Sequence, residues 1–186
     1  MSKRPNPLDR FARDIPPGEL QWIGVRPQRK VGMEELERVE AIAGHGLDGD
    51  HRAEKTPGSA RQVTIISREF MQQIAYFLGR EDIDPALLRR NLVVSGINLN
   101  ALRYQRFTIG TAVFEARAIC HPCSRMESAL GKGGVAAMIG HGGLCCKIIE
   151  SGWIAVGDAV AVVAPGQNLD LFATGVSDRG KKTDSM

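Results

Sequence analysis

The chain has 186 residues, 43% of them hydrophobic and 24% charged, with a formal net charge of +3. That length suits one domain with a substantial core, and the composition is ordinary for a soluble globular protein. Lys and Arg are scattered among nearly as many acids, which argues against a nucleic-acid partner while leaving room for a modest basic pocket. The N-terminus lacks the apolar core of a secretory signal, and no segment approaches the ~20 apolar residues of a membrane span. These features predict a cytoplasmic protein with no membrane partner, in a compartment where thiols stay reduced.

Residues 1–17, rich in proline and charge, read as an N-terminal extension, residues 18–164 as the folded domain, and residues 165–186 as a partly disordered tail. Within the domain, "ELQWIGVRP" (19–27), "ERVEAIAG" (37–44), "RQVTIIS" (61–67) and "NLVVSGI" (91–97) read as strands, three of them compact or alternating apolar runs. "RFTIGTAVFEARAIC" (106–120) reads as two strands joined at Ile109-Gly110-Thr111, and "WIAVGDAVAVVA" (153–164) repeats that form around Gly157-Asp158. Between the strands, Ser67 caps a helix whose apolar face carries Phe70, Ile74, Phe77 and Leu78 and which Gly79 stops. Asp84-Pro85 opens a second short helix over "ALLRRN". Closely spaced strands with glycine turns and no βαβ alternation predict a mainly β fold, a barrel with a few short peripheral helices.

The four histidines (45, 51, 121, 141) and four cysteines (120, 123, 145, 146) all lie in or beside loops. Three of those loops are glycine-rich: "GHGLDGDHR" (44–52), "GKGGVAAMIGHGG" (131–143) and the turn at Gly96. Glycine lets backbone N–H groups approach an anion closely, although turns also use it routinely. Cys120-His121-Pro122-Cys123 has the first half of a zinc-ribbon spacing, but adjacent Cys145-Cys146 is a poor second half. A redox dithiol would normally sit in a βαβ context. Cys120, Cys145 and Cys146 read best as buried small residues. Cys123 stands beyond the strand end, near His121 and Arg125, where cationic neighbours favour a thiolate that serves as nucleophile or soft metal ligand.

In order, "GLDGDHR" (46–52), "RQVTIIS" (61–67), "LRRNLVVSGINL" (88–99), "FTIGTAVFEA" (107–116), "CHPCSRME" (120–127), "GHGGLCCKII" (140–149) and "WIAVGDAV" (153–160) resemble the MOSC domain, the module at the C-terminus of molybdenum-cofactor sulfurases and in stand-alone bacterial proteins. The resemblance covers residues 18–164. It implies a MOSC-type β-barrel, similar to the pyruvate-kinase barrel, that binds molybdenum cofactor, a pterin dithiolene carrying a phosphate. No pyridoxal-phosphate site is implied for a chain of this length.

Carried over position by position, the family's cysteine is Cys123, a metal ligand in reductase-type members and a proposed persulfide carrier in sulfurase-type ones. The family's Arg-x-Asn is Arg89-Arg90-Asn91, with Arg61 opening the matching strand toward the phosphate; a solvated helix end for Arg89 and Arg90, and a solvated strand end for Arg61, are the alternatives. His45, Asp48, Asp50 and His51 fall at the same mouth, and His141 with Gly142 falls beside the pterin, or in an ordinary glycine turn. Relatives commonly read Gly-Leu-Glu-Gly-Asp-Arg-His. This chain has Asp48 and the order His51-Arg52, so either His51 or Arg52 takes the matching role. The implied activity is molybdenum-dependent reduction of small N-hydroxylated compounds, with electrons from a redox partner. The alternative is a sulfur or cofactor carrier, served by a sulfur donor, without turnover of its own.

Overall fold

The computed structural model describes residues 9–12, 14–54 and 58–163; the 165–186 tail and the first eight residues lie outside them. After α1 (Asp9–Ala12) come β1 (Gly18–Val25), β2 (Glu34–Leu36), β3 (Arg38–Ile42), β4 (Gly46–Leu47) and β5 (Val63–Ser67). Two helices, α2 (Arg68–Phe77) and α3 (Pro85–Leu88), precede β6 (Leu92–Ser95), β7 (Arg106–Ile109) and β8 (Ala112–Ile119). Then follow α4 (Ser124–Leu130), α5 (Gly134–Met138), β9 (Leu144–Glu150), β10 (Gly152–Ala155) and β11 (Ala159–Val162).

Seven strands close into a barrel in the order β11-β7-β8-β9-β5-β6-β1, with β11 returning to β1 through Gly18↔Val160 and Glu19↔Ala159. β2 extends the sheet from β1, and β10-β3-β4 form a separate three-stranded sheet. The predicted mainly β barrel with short helices is what the chain forms. No helix among the described residues is long and apolar enough to cross a membrane.

The pair β5–β6 is parallel, with Ile65 opposite Leu92, whereas its neighbours are antiparallel. A parallel pair needs a crossover, and α2 with α3 provides it. The barrel thus contains one βαβ unit that strand spacing did not predict. This unit explains why all five residues of β5 are buried. Ile65 faces the barrel interior with Leu20, Leu92, Phe107 and Phe114. Ile66 faces outward, under Met71, Ile74, Leu88, Met126 and Met138 of the helices. Each such aliphatic side chain contributes about 1.5–3 kcal/mol by leaving water.

The Ser67 cap is formed, its Oγ accepting from the Phe70 N–H at 3.1 Å. Phe77, however, is not on the buried face of α2. It is 55% exposed and edge-stacks on His141, while Met71, Ile74 and Ala75 make the core contact. Asp84 caps α3 as expected, its Oδ1 accepting from the Ala86 N–H at 2.9 Å. The helix stops earlier than "ALLRRN" suggests, because Arg89 adopts a left-handed conformation (φ 56°). Elements without a clear periodic signature (β2, β4, α4, α5 and β9) complete the domain.

Gly142 and Gly143 admit β9 between β5 and β8. A Cβ on Gly143 (φ 82°) would collide with the Ile65 carbonyl oxygen, and one on Gly142 with the Cys120 carbonyl oxygen. Gly157 has φ 91° but open space around it. Gly143→Ala should therefore lower stability by about 3 kcal/mol or more, combining backbone strain with overlap, and Gly157→Ala by only ~1–2 kcal/mol. Urea unfolding of the two variants reads the difference; equal midpoints would contradict this packing.

Candidate functional site

A cavity of about 430 Å³ opens between the loop after β1, the loop after β4, the C-terminal end of α3 and the start of α4. Arg26, Arg29 and Lys30 enter from the first loop, Arg52 and Arg61 from the second. Arg89 and Arg125 close the remaining side, with His45, His51 and Ser59 between them. Among the described lining residues none is acidic.

A buried polar frame holds this wall. Asp50 accepts from the Arg26 N–H (3.1 Å) and from Asn91 Nδ2 (2.9 Å) on Oδ2, and from the Arg52 N–H (2.9 Å) on Oδ1. Asn91 also donates to the Gly24 carbonyl, and its Oδ1 accepts from the Thr64 N–H (3.1 Å) and Thr64 hydroxyl (3.0 Å). All of its side-chain capacity is thus engaged within the protein. His51 Nδ1 lies 3.0 Å from the Arg26 carbonyl and 3.3 Å from Asp50. A carbonyl only accepts, so Nδ1 carries the hydrogen and Nε2 keeps the lone pair of the neutral ring.

Arg90 is buried and faces the other way. It donates from Nε to the Gly142 carbonyl (2.7 Å), from NH1 to Leu88 (3.0 Å) and from NH2 to Cys120 (3.3 Å). It ties the end of α3 to the β8 terminus and to the turn before β9.

Cys123 is exposed at the N-cap position of α4, and its side chain makes no capping bond. It stands two residues before Arg125 and within electrostatic reach of Arg89. Cys120, Cys145 and Cys146 are buried. Cys146 faces the barrel core, where burial pushes its thiol up. Cys120 and Cys145 fall on the other face, because the β8–β9 register sets Ala118 opposite Cys145 while the Cys120 N–H reaches the Gly143 carbonyl. Their sulfurs share a hydrogen bond. The Cys145 thiol, donating, is pushed up, and Cys120 is lowered to about 6, aided by Arg90, Arg61 and Arg52 and opposed by burial. Among the described residues, no group of three or more His, Cys, Asp or Glu side chains is arranged to hold a metal ion.

The MOSC domain profile matches residues 49–161. The chain belongs to the MOSC domain family. That family is associated with molybdenum-cofactor binding. Among solved structures, the YuaD protein of Bacillus subtilis is 20% identical with a TM-score of 0.69, covering 78% of this chain and 95% of its own. YiiM from Geobacillus stearothermophilus is 15% identical (TM-score 0.65; 82% and 78% covered), and YiiM from Escherichia coli 16% (0.61; 78% and 70%). At these identities the likeness establishes the fold. No curated protein sequence matches the chain.

Within the MOSC fold, the sequence-derived site divides. Arg61, Arg89, His51 and Arg52 converge on the cavity, so the swapped His51-Arg52 order leaves both residues in the wall. Asn91 and Arg90 stand behind it as framework. Gly142 is buried where backbones cross, and His141 stacks on Phe70 and Phe77 beside α2 instead of lining the cavity. Of the glycine loops, the one over 44–52 reaches the cavity; the one over 131–143 contains α5, and Gly96 donates to Glu69. Sequence reasoning passed over Arg26, Arg29 and Lys30, whose signal is the cationic cluster "RPQRK" directly after a buried strand.

The Cys120–Cys145 pair makes a testable statement. Cys120 is the member of the pair that ionises first, its thiolate favoured by the Cys145 thiol. A pH titration of the ultraviolet thiolate band should show a thiol ionising below the ordinary thiol range, lost in Cys120→Ser and moved upward in Cys145→Ala, which lacks the donor. An unchanged titration in both variants would contradict the pairing.

Proposed function

We propose that this MOSC protein binds molybdenum cofactor in the basic cavity, with Cys123 as the metal ligand, and reduces small N-hydroxylated compounds. The observation that carries the reading is an exposed, uncapped thiol next to a cavity walled by guanidinium groups. The residues suit the group. A phosphate needs fixed cations and donors, which Arg29, Lys30, Arg61, Arg52 and Arg89 offer, and a thiophilic metal needs a soft thiolate.

The bound cofactor supplies two-electron removal of oxygen; the protein supplies position and charge. Overall, R–NHOH takes two electrons and two protons and gives R–NH2 and water, the electrons arriving from a redox partner protein. His51 is the group suited to proton handling. Its Nδ1 is held by the Arg26 carbonyl and Asp50, leaving Nε2 as the atom that exchanges a proton. The guanidinium wall stabilises negative charge on the ligand and excludes competing cations. Asp50 and Asn91 keep that wall in register through the Arg26 and Arg52 backbone.

Expression in a cofactor-competent cell should give molybdenum near one per chain. Cys123→Ser should lower it by at least ~10-fold, the scale of one lost charge-assisted contact or more, while Cys120→Ser keeps it. Retention by Cys123→Ser with loss in Cys120→Ser would overturn the assignment within the pair. Cyanide-labile sulfur on Cys123 in a chain that takes up no molybdenum would replace the reductase reading with a sulfur carrier.

A further inference from the structure

The cavity carries more positive charge than one phosphate group balances. Arg26, Arg29, Lys30, Arg52, Arg61, Arg89 and Arg125 all face it, whereas a phosphate monoester brings at most two negative charges. Asp50 stands behind the wall, with both oxygens already accepting hydrogen bonds from the Arg26, Arg52 and Asn91 donors.

Part of this charge forms a mutually repelling group around Arg26 and Arg89. Arg26 is pushed down from the ordinary guanidinium range by burial, then by Arg89, with Arg52 and Arg125 adding to the effect against Asp50. Arg89 is pushed down by burial, then by Arg125, and it also feels Cys123 and Arg52. Arg26, Arg89, Arg52 and Arg125 thus repel one another, and Arg89 is the one that feels Cys123. Arg26 is only 6% exposed, and its Nε is a buried donor with no acceptor. A buried guanidinium with an unused donor, among like charges, is costly unless an anion completes it. Its planar fork suits a phosphate or other oxyanion.

We propose that the cavity holds two phosphate groups at once: the cofactor's, and a second carried by the substrate and read by Arg26 and Arg125. The proposal rests on the cofactor reading above and narrows the substrates to phosphorylated N-hydroxylated compounds. The second group belongs with Arg26 and Arg125 because Arg26 Nε is the buried donor left without an acceptor and Arg125 is among the charges it feels. Arg29, Lys30, Arg61, Arg52 and Arg89 remain for the cofactor's phosphate. Arg26 and Arg125 are then specificity-determining residues, absent from the chemistry of the N–O bond itself.

Calorimetric titration of the full chain with inorganic phosphate at constant ionic strength should give two phosphates per chain. Arg125→Gln should remove one phosphate and leave the other within about threefold in affinity. Arg26→Lys, with folding checked by its melting temperature, should do the same. In molybdenum-loaded protein, kcat/KM for an N-hydroxylated nucleoside 5′-monophosphate should exceed that for its nucleoside at least ~10-fold, with the advantage lost through KM in Arg125→Gln. One phosphate bound to a chain that takes up molybdenum, or equal kcat/KM for the two substrates, overturns this inference alone. Two phosphates bound to a chain that takes up no molybdenum overturn the cofactor reading, and with it the assignment of the second phosphate to a reductase substrate.

Discussion

Like charges crowded into one cavity repel, and this wall holds together because Asp50 and Asn91 fix its backbone instead of neutralising its guanidinium groups. Asp50 takes the N–H groups of Arg26 and Arg52, and Asn91 locks Asp50 to Thr64 and Gly24. Neither carboxylate oxygen is spent on a guanidinium. The arginine side chains are therefore left for a ligand, and the energy of holding them close is recovered when an anion arrives. A salt bridge from Asp50 to Arg26 would have made a more stable apo-protein and a weaker site.

The barrel places this frame at one end. β1 and β6 run side by side, so Gly24 lies near Asn91, and the parallel β5–β6 pair brings Thr64 alongside. The crossover through α2 and α3 delivers Arg89 in a left-handed turn toward the cavity and Arg90 into the interior. Adjacent residues of one "RRN" run thus do opposite work: Arg89 faces the cavity, while Arg90 binds the Gly142, Leu88 and Cys120 carbonyls. The loop between β8 and α4 separates its two cysteines. Cys120 ends buried against Cys145, and Cys123 emerges into solvent at the start of α4.

Much of this was legible before any coordinates. The β-branched runs at 63–67 and 92–95, and the Gly110 and Gly157 turns, each named their elements because period and turn chemistry agree there. The Asp84-Pro85 start was equally plain. The βαβ crossover was missed although both of its helices were read, because Val63–Ser67, buried on both faces, reads the same in parallel and antiparallel sheets. β9 was hidden because adjacent cysteines in "LCCKIIE" carry little strand signal. Within the site, Cys123 stood out by its position past a strand end. Arg26 did not, since a residue closing a strand is read as strand, and only the folded loop turns its side chain toward the cavity. Asn91 shows the limit of motif transfer, because its place in the motif is kept while its side chain serves the frame.

The central claim is that the Cys123 sulfur meets a metal at the edge of this cationic cavity. The most direct measurement is thiol alkylation followed by peptide mapping, on the protein with and without bound molybdenum cofactor. Cys123 should be modified readily in the cofactor-free chain and protected when the cofactor is bound, with buried Cys120, Cys145 and Cys146 resistant in both states. Equal modification of Cys123 in the two states would contradict the account.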